Sequence, residues 1–494
     1  MTSTQRSESI SGVTFALDRL LIDGNLIDPG RTYPTSNPAT GETIAQAPDA
    51  TVADAEAAIA AARRAFDKTD WSTNVELRVR CLRQLHESMV KHQEELRALT
   101  IADAGHTVGL TRGPALEDPM KLLTYYADLA ENFEWREDLP TVEQMGGQHR
   151  RWIEHEAAGV VSAIIAYNYP AQLAMAKLAP ALAAGCTVVL KGAPDTPLMT
   201  LALAELIHNE TDLPAGVVNV ITSAAVEVGE VLTTHPDVDM ITFTGSTPVG
   251  RKIMAAASAT IKRVFLELGG KSALIVLDDA DLDLTTMVAA FTICSHAGQG
   301  CAITSRLLVP RSRYDEVVEK VKTHMANIVV GDPSDPKTYM GPLISAKQRE
   351  KVDAIVKRAV AAGATLELGG TTIDPGFYYA PTVLTNVDPA SEIAQEELFG
   401  PVLTIIPFDD DDDAVRIAND SIYGLSGAVY SADNDRALAV ARRIRTGTMG
   451  VNGGSWYGPD SPFGGYKQAG IGRESGVAGL AEFLEIKTYA MVES

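Results

Sequence analysis

Apolar positions set out two textures along the chain. From Thr51 to Phe66 they recur at helical spacing in an Ala-rich stretch with Thr51 placed as an N-cap, and Glu76 to Ala102 continues as one long amphipathic helix. From about residue 157 the pattern becomes short apolar, β-branched runs alternating with helical segments. Strands are predicted at 159–166, 187–191, 217–221 and 240–243, and helices at 171–184, 200–208 and 226–233. Strands that are apolar throughout and separated by helices predict a parallel sheet covered on both faces. A second α/β stretch begins near Lys271, with strands at 273–277, 305–309 and 402–407. Asn37 to Glu42 reads as a turn, Gly447 to Arg473 as a long ordered functional loop, and Glu482 to Met491 as a terminal strand.

Composition narrows the function classes. The chain has 494 residues, of which 46% are hydrophobic and 21% charged, so the bulk of it is globular. Length alone suggests about three domains. With 42 Lys and Arg against 64 Asp and Glu, the net charge is −22, which disfavours nucleic acid. No apolar run reaches the roughly 20 residues a membrane span needs. The polar opening, Met1 to Ser11, lacks an apolar core and is not expected to be a signal peptide, and its first residues are expected to be disordered. Cys81, Cys186, Cys294 and Cys301 form no CxxC pair, and the nine His show no zinc spacing. Free thiols, a cytoplasmic setting and no metal are the expectation.

Four segments carry chemistry. Gly298-Gln299-Gly300-Cys301 presents a thiol between small residues; it is either a nucleophile open to a carbonyl or a buried structural cysteine. Glu267, in Glu267-Leu268-Gly269-Gly270-Lys271, is a carboxylate in an apolar setting, suited to general-base work if burial raises its pKa; the alternative is an ion-paired Glu. Phe243-Thr244-Gly245-Ser246 follows a strand and opens a helix, where backbone N–H groups and Ser246 could hold phosphate. Asn168 in Tyr167-Asn168-Tyr169-Pro170 ends the first strand of the alternating region, as an oxyanion donor or a turn former. The five-residue Asp409 to Asp413 run reads as a solvated loop entering a helix, as does Asp278 to Asp283.

These motifs, with Glu396-Glu397-Leu398-Phe399-Gly400-Pro401-Val402 and Pro462-Phe463-Gly464-Gly465-Tyr466-Lys467, resemble the aldehyde dehydrogenase superfamily, in its order and over nearly the whole chain. The resemblance implies Cys301 as the nucleophile forming a thiohemiacetal and then a thioester. Its own N–H and Asn168 become the oxyanion hole, and Glu267 the base that activates water, with Lys177 assisting in proton relay. It also implies a dinucleotide held by Lys191, Gly229, Gly245, Ser246, Glu397 and Phe399. The family commonly has Glu where this chain has Pro194. NAD is therefore expected and NADP left open, since Asp195 is displaced by one residue. His296 replaces a usual Asn and reads as a packing residue.

Small Gly300, Ala302 and Ala176, with Tyr169, Trp456 and Tyr457 lining the tunnel, suggest a medium-chain aliphatic, terpenoid or aromatic aldehyde. Glu267 argues against a CoA-acylating member, and the intact Cys301, Glu267 and Asn168 against a non-catalytic relative. The implied fold is α/β: a Rossmann-like dinucleotide-binding domain (10–133 and 156–267), an α/β catalytic domain (268–468) and a small β oligomerisation arm (134–155 and 469–494). The arm would make a homodimer or a homotetramer, and residues 148–155 would form an exposed edge if unpaired.

Overall fold

The computed structural model describes residues 10–493. The expectation of disorder for the first residues falls on 1–9, outside them. Five parallel strands build the first sheet: β1 (Val160–Ile164), β2 (Thr187–Gly192), β3 (Val218–Thr222), β4 (Met240–Thr244) and β5 (Arg263–Glu267). Their order is β3-β2-β1-β4-β5, which reverses beside β1, where open sheets of this kind gather ligands. Short antiparallel strands extend both margins, Leu20–Ile22 beside β3 and Gly470–Ile471 beside β5. Alternate residues feed two separate cores. Val161, Ala163, Val188 and Leu190 face one helical layer, and Val160, Val189, Ile241 and Leu266 the other. Burial on both faces is why these strands read as unbroken apolar runs.

Helix α1 (Pro170–Ala184) follows β1, α2 (Val226–Thr234) follows β3 and α3 (Thr247–Ala257) follows β4. The N-terminal helix runs from Val52 to Lys68, its Thr51 and Asp54 closing a capping box. The long helix expected over 76–102 is two, Val75–Lys91 and Gln93–Ala104, separated at His92. There the imidazole bridges Glu95 and Glu210 instead of continuing the apolar stripe.

The second sheet contains β6 (Ser272–Val276), β7 (Thr304–Pro310), β8 (Thr382–Thr385), β9 (Val402–Phe408), β10 (Gly427–Tyr430) and β11 (Gly450–Val451). All are parallel, in the order β8-β9-β7-β6-β10-β11, with Thr365–Leu368 added antiparallel beside β8. Helix α4 (Leu282–Cys294) follows β6. Only Leu268 to Lys271 separate β5 from β6. The C-terminal ends of the first sheet therefore face the N-terminal ends of the second across one cleft.

A third sheet stands apart: Leu484–Val492, Gly147–Ala157 and Arg136–Gln144, all antiparallel. Residues 148–155 lie in its middle strand, paired on both sides, so the open edges belong to the two outer strands. The Asp409 to Asp413 run enters the helix Asp411–Asn419 with Asp410 as its cap, as read from the sequence. No helix among the described residues is long and apolar enough to cross a membrane.

Candidate active site

Four backbone segments converge where the two sheets meet. Asn168 lies beyond the end of β1 and is buried. Its Nδ2 donates to the carbonyl of Gln299 at 3.0 Å. A carboxamide NH₂ has two donors, so one remains for a ligand while the other fixes the group's orientation. Gln299 is itself locked: its Nε2 donates to His296 O at 3.1 Å, and its Oε1 accepts from Ile344 N at 2.9 Å. Cys301, two residues on, opens into a cavity of about 300 Å³. Tyr169, Leu173, Ile303, Trp456, Tyr457 and Phe463 are among its walls, so the three expected tunnel residues all line it. Trp456 stacks on Phe463 at 5.5 Å, and Tyr457 donates its hydroxyl to Gln172 Oε1 at 2.7 Å. Among the described residues the lining holds no Arg or Lys, and Glu474 is its one carboxylate.

Glu267 is the last residue of β5, its backbone held between Thr244 and Gly470. The side chain is 2% exposed, and neither carboxylate oxygen has a hydrogen-bond partner. Burial, reinforced by the Glu474 carboxylate, pushes its pKa well above the usual range; Lys177 and Arg473 pull the other way. A carboxylate bare of partners is free to take a proton from a substrate or water. The Cys301 thiol is likewise pushed up, first by burial and then by Glu267, Glu397 and Glu474. It rests as a thiol, and a nucleophilic role would require it to lose that proton.

Lys177 points from α1, a helix buried at every other position except Gln172. Its ammonium bonds Glu474 at 3.0 Å and Thr242 at 3.2 Å rather than Glu267, so any effect on Glu267 is through charge. Glu474 is the functional residue that the sequence reading missed. The Gly-rich segment singled out there ends at Arg473, one residue short. The signal was Lys177 itself: a charge inside an apolar helix demands a buried partner. Glu474 is held in place by reciprocal backbone bonds with Phe463.

A second group of residues lines the cleft along the ends of β2, β3 and β4. Lys191 donates to the carbonyls of Gly192 and Ser223, and burial lowers its pKa to about 8. Ser246 caps α3 by its backbone alone, leaving an exposed hydroxyl at the helix N-terminus. Gly229, in α2, faces open space, whereas a Cβ on Gly245 would lie 2.3 Å from the Phe243 ring. Glu397 accepts the Gly270 N–H at 3.0 Å, and burial raises its pKa to about 7. Phe399, held at φ 60°, turns its ring edge-on to Tyr167 at 5.9 Å. Pro194 and Asp195 are both exposed at the end of β2. A basic group, a helix N-terminus with a free hydroxyl, a carboxylate and an aromatic ring along one cleft fit an extended dinucleotide.

Residues 27–489 match the aldehyde dehydrogenase family. The geranial dehydrogenase of Castellaniella defragrans is 38% identical over 482 residues, covering 96% of this chain and 99% of its own. The betaine aldehyde dehydrogenase of Staphylococcus aureus, solved with NAD+, superposes with a TM-score of 0.93 at 37% identity, covering 99% of this chain and 97% of its own. Aldehyde dehydrogenase C of Pseudomonas syringae, a mutant solved with NAD+ and octanal, gives a TM-score of 0.91 at 38% identity, with 96% of both chains covered.

Proposed function

The chain belongs to the aldehyde dehydrogenase family and is an oxidoreductase acting on aldehydes; we propose that it converts medium-chain, terpenoid or aromatic aldehydes to carboxylic acids with NAD+. The observation that carries this is the ring-lined cavity of about 300 Å³ that ends on Cys301 and offers no cation to a second carboxylate. Relatives named for geranial, or crystallised with octanal, support the substrate class.

The Cys301 sulfur adds to the aldehyde carbon and its proton passes to Glu267. The carbonyl electron pair moves to oxygen, where the spare Asn168 N–H and the Cys301 main-chain N–H receive the charge. NAD+, when bound, supplies the acceptor for the hydride that leaves the substrate carbon. Lys191 would hold its adenosine ribose, Ser246 and the backbone at Gly229 and Gly245 its pyrophosphate, Glu397 its nicotinamide ribose, and Phe399 would pack beside the ring. Glu267, once it has released the thiol proton, takes a proton from water, the water oxygen attacks the thioester carbon, and the C–S bond breaks, the sulfur recovering a proton from Glu267 to restore the thiol. Lys177 acts through Glu474, keeping a carboxylate fixed where a proton leaving Glu267 can be received.

We also read residues 10–133 and 156–267 as the dinucleotide-binding domain, 268–468 as the catalytic domain, and 134–155 with 469–494 as an arm joining copies into a dimer or tetramer. The exposed Ile486, Met491 and Val492 on the outer arm strand support that reading. Initial rates of NAD+ reduction on octanal, geranial, benzaldehyde and succinic semialdehyde test the substrate class. The first three are expected to exceed the last at least tenfold in kcat/KM, and a preference for the semialdehyde would overturn the proposal.

A further inference from the structure

Two histidines that take no part in this chemistry meet at the root of the nucleophile loop. His106 comes from the first lobe, just past the helix Gln93–Ala104, and His296 from the second, just past α4. Their rings stack face to face, centroids 3.9 Å apart and planes 12° from parallel. Tyr169 closes a third side, 4.8 Å from His106 and 5.2 Å from His296. Both histidines are buried. On the first-lobe side the stack has little freedom. Gly105, at φ 69°, is wedged between Pro38 and Pro342, and its carbonyl stands where a Cβ on Gly341 would have to go.

On the second-lobe side the stack meets an unusual backbone. His296 and Ala297 adopt φ of 45° and 50°, followed by Gly298 at 75°. Two consecutive non-glycine residues in the left-handed region do not persist by local preference, so the surroundings must impose them. The His296 carbonyl anchors the nucleophile loop. It accepts both the backbone N–H of Gln299, at 3.0 Å, and the Gln299 side chain. Gln299 in turn holds the Asn168 carboxamide and precedes Cys301 by two residues.

We propose that the His106–His296 stack is a positioning device that pins this left-handed turn to the first lobe and so sets Asn168 and Cys301 relative to each other. The proposal rests on the catalytic reading above and adds to it two positioning residues and a dependence on pH. The stack holds only while both rings are neutral, because a proton on either is unpaired in a dry site. Neither ring nitrogen of His106 nor Nδ1 of His296 has a hydrogen-bond partner, and the Asn168 main chain is the one polar neighbour that favours a proton on either ring. The titratable groups nearby offer no counter-charge. The Tyr169 phenol faces the stack, with Cys301 and Tyr457 beyond it. The Asp103 carboxylate, three residues before His106, is turned to Leu198 N and Thr35. Burial pushes His106 down to about 3 and His296 well below its usual value. An opened state binds protons with an ordinary histidine pKa of about 6.5. Lowering the pH below that therefore favours opening, and raising it restores the stack.

The test compares full-length native protein, His106→Ala and His106→Phe. Hydrogen exchange of the segment 295–303, measured at pH 7.5 without substrate, reports the turn. Steady-state kcat and KM on octanal with NAD+, from pH 5.5 to 8, report its consequence. His106→Ala is expected to speed exchange and lower kcat at least threefold each, with KM nearly unchanged. His106→Phe keeps a ring in the stack but cannot take a proton. It should hold exchange and kcat at pH 7.5 within threefold of native, and lose at least threefold less kcat than native between pH 7.5 and 5.5, since the fall through Glu267 is common to both and His296 is the one proton site left in the stack. Smaller effects of His106→Ala, or an unchanged acid loss in His106→Phe, would overturn the proposal. If His106→Ala does not fold, the acid profile of His106→Phe decides alone. If no aldehyde is oxidised by native protein, the catalytic reading fails, while the exchange data still decide the positioning role.

Discussion

Replacing Lys177 by Met would strand a carboxylate in a dry interior. Lys177 and Glu474 are 0% and 5% exposed, with 3.0 Å between the charged atoms. At an effective dielectric of about 20, unit charges at that separation attract by about 5 kcal/mol. Much of that offsets the cost of drying both ions, but removing one partner leaves the other's cost uncompensated, typically about 3–5 kcal/mol. Glu474→Gln belongs at the lower end, because Thr242 still accepts from Lys177 and the Phe265 ring still lies 5.3 Å from the ammonium. The double variant Lys177→Met/Glu474→Gln buries no charge. Its loss should not exceed that of Lys177→Met alone, giving a coupling energy of about 3 kcal/mol. Urea denaturation of the four proteins, followed by tryptophan fluorescence, measures the cycle. Single losses that add to within about 0.5 kcal/mol would refute the buried-pair argument. The same variants should move the working pH. Lys177 pulls the Glu267 carboxyl down and Glu474 pushes it up. The base acts as a carboxylate, so thioester hydrolysis rises with pH through its raised pKa. That rise should shift to higher pH in Lys177→Met and to lower pH in Glu474→Gln.

Cys301→Ala should abolish aldehyde oxidation while NAD+ binding, followed by fluorescence titration, persists. Glu267→Gln should slow turnover by about 10²–10⁴-fold. Rapid mixing should show the first turnover of reduced nicotinamide slowed as well, since Glu267 takes the thiol proton before it activates water. Asn168→Ala should lower kcat by about 10²–10³-fold with a smaller change in KM, because the lost donor serves the tetrahedral oxygen. Gly298→Ala places a Cβ 2.1 Å from the Gly400 carbonyl at φ 75°. It should cost about 2–4 kcal/mol in a denaturation experiment.

The parallel sheets were legible because burial on both faces removes polar alternation, and short β-branched runs such as Thr187 to Leu190 between helical segments fit that burial. The helix over 76–102 was over-extended because its apolar spacing continues through His92, and of the two glutamates that hold the break Glu95 is local but Glu210 is remote in sequence. The middle position of residues 148–155 in the arm was equally hidden, since alternation marks a strand without naming its neighbours. Each local motif left Cys301, Glu267 and Asn168 a structural alternative, and the resemblance carried by the motifs together was what grouped them. Glu474 and His106 were not legible, because each acquires its role from a partner far along the chain: Lys177 in one case, His296 in the other. His296 read as a packing residue, and its ring does pack, on another imidazole that no local spacing could supply.

The acidic surroundings of the nucleophile carry a consequence for the enzyme at rest. Burial first, and then Glu267, Glu397 and Glu474, raise the proton affinity of Cys301. Peroxide, disulfides and alkylating agents react with thiolates, and a sulfur that keeps its proton offers them little. Burial and the acidic neighbours together favour a sulfur that keeps its proton at rest, and the same surroundings would oblige an attacking thiol to hand that proton to a base.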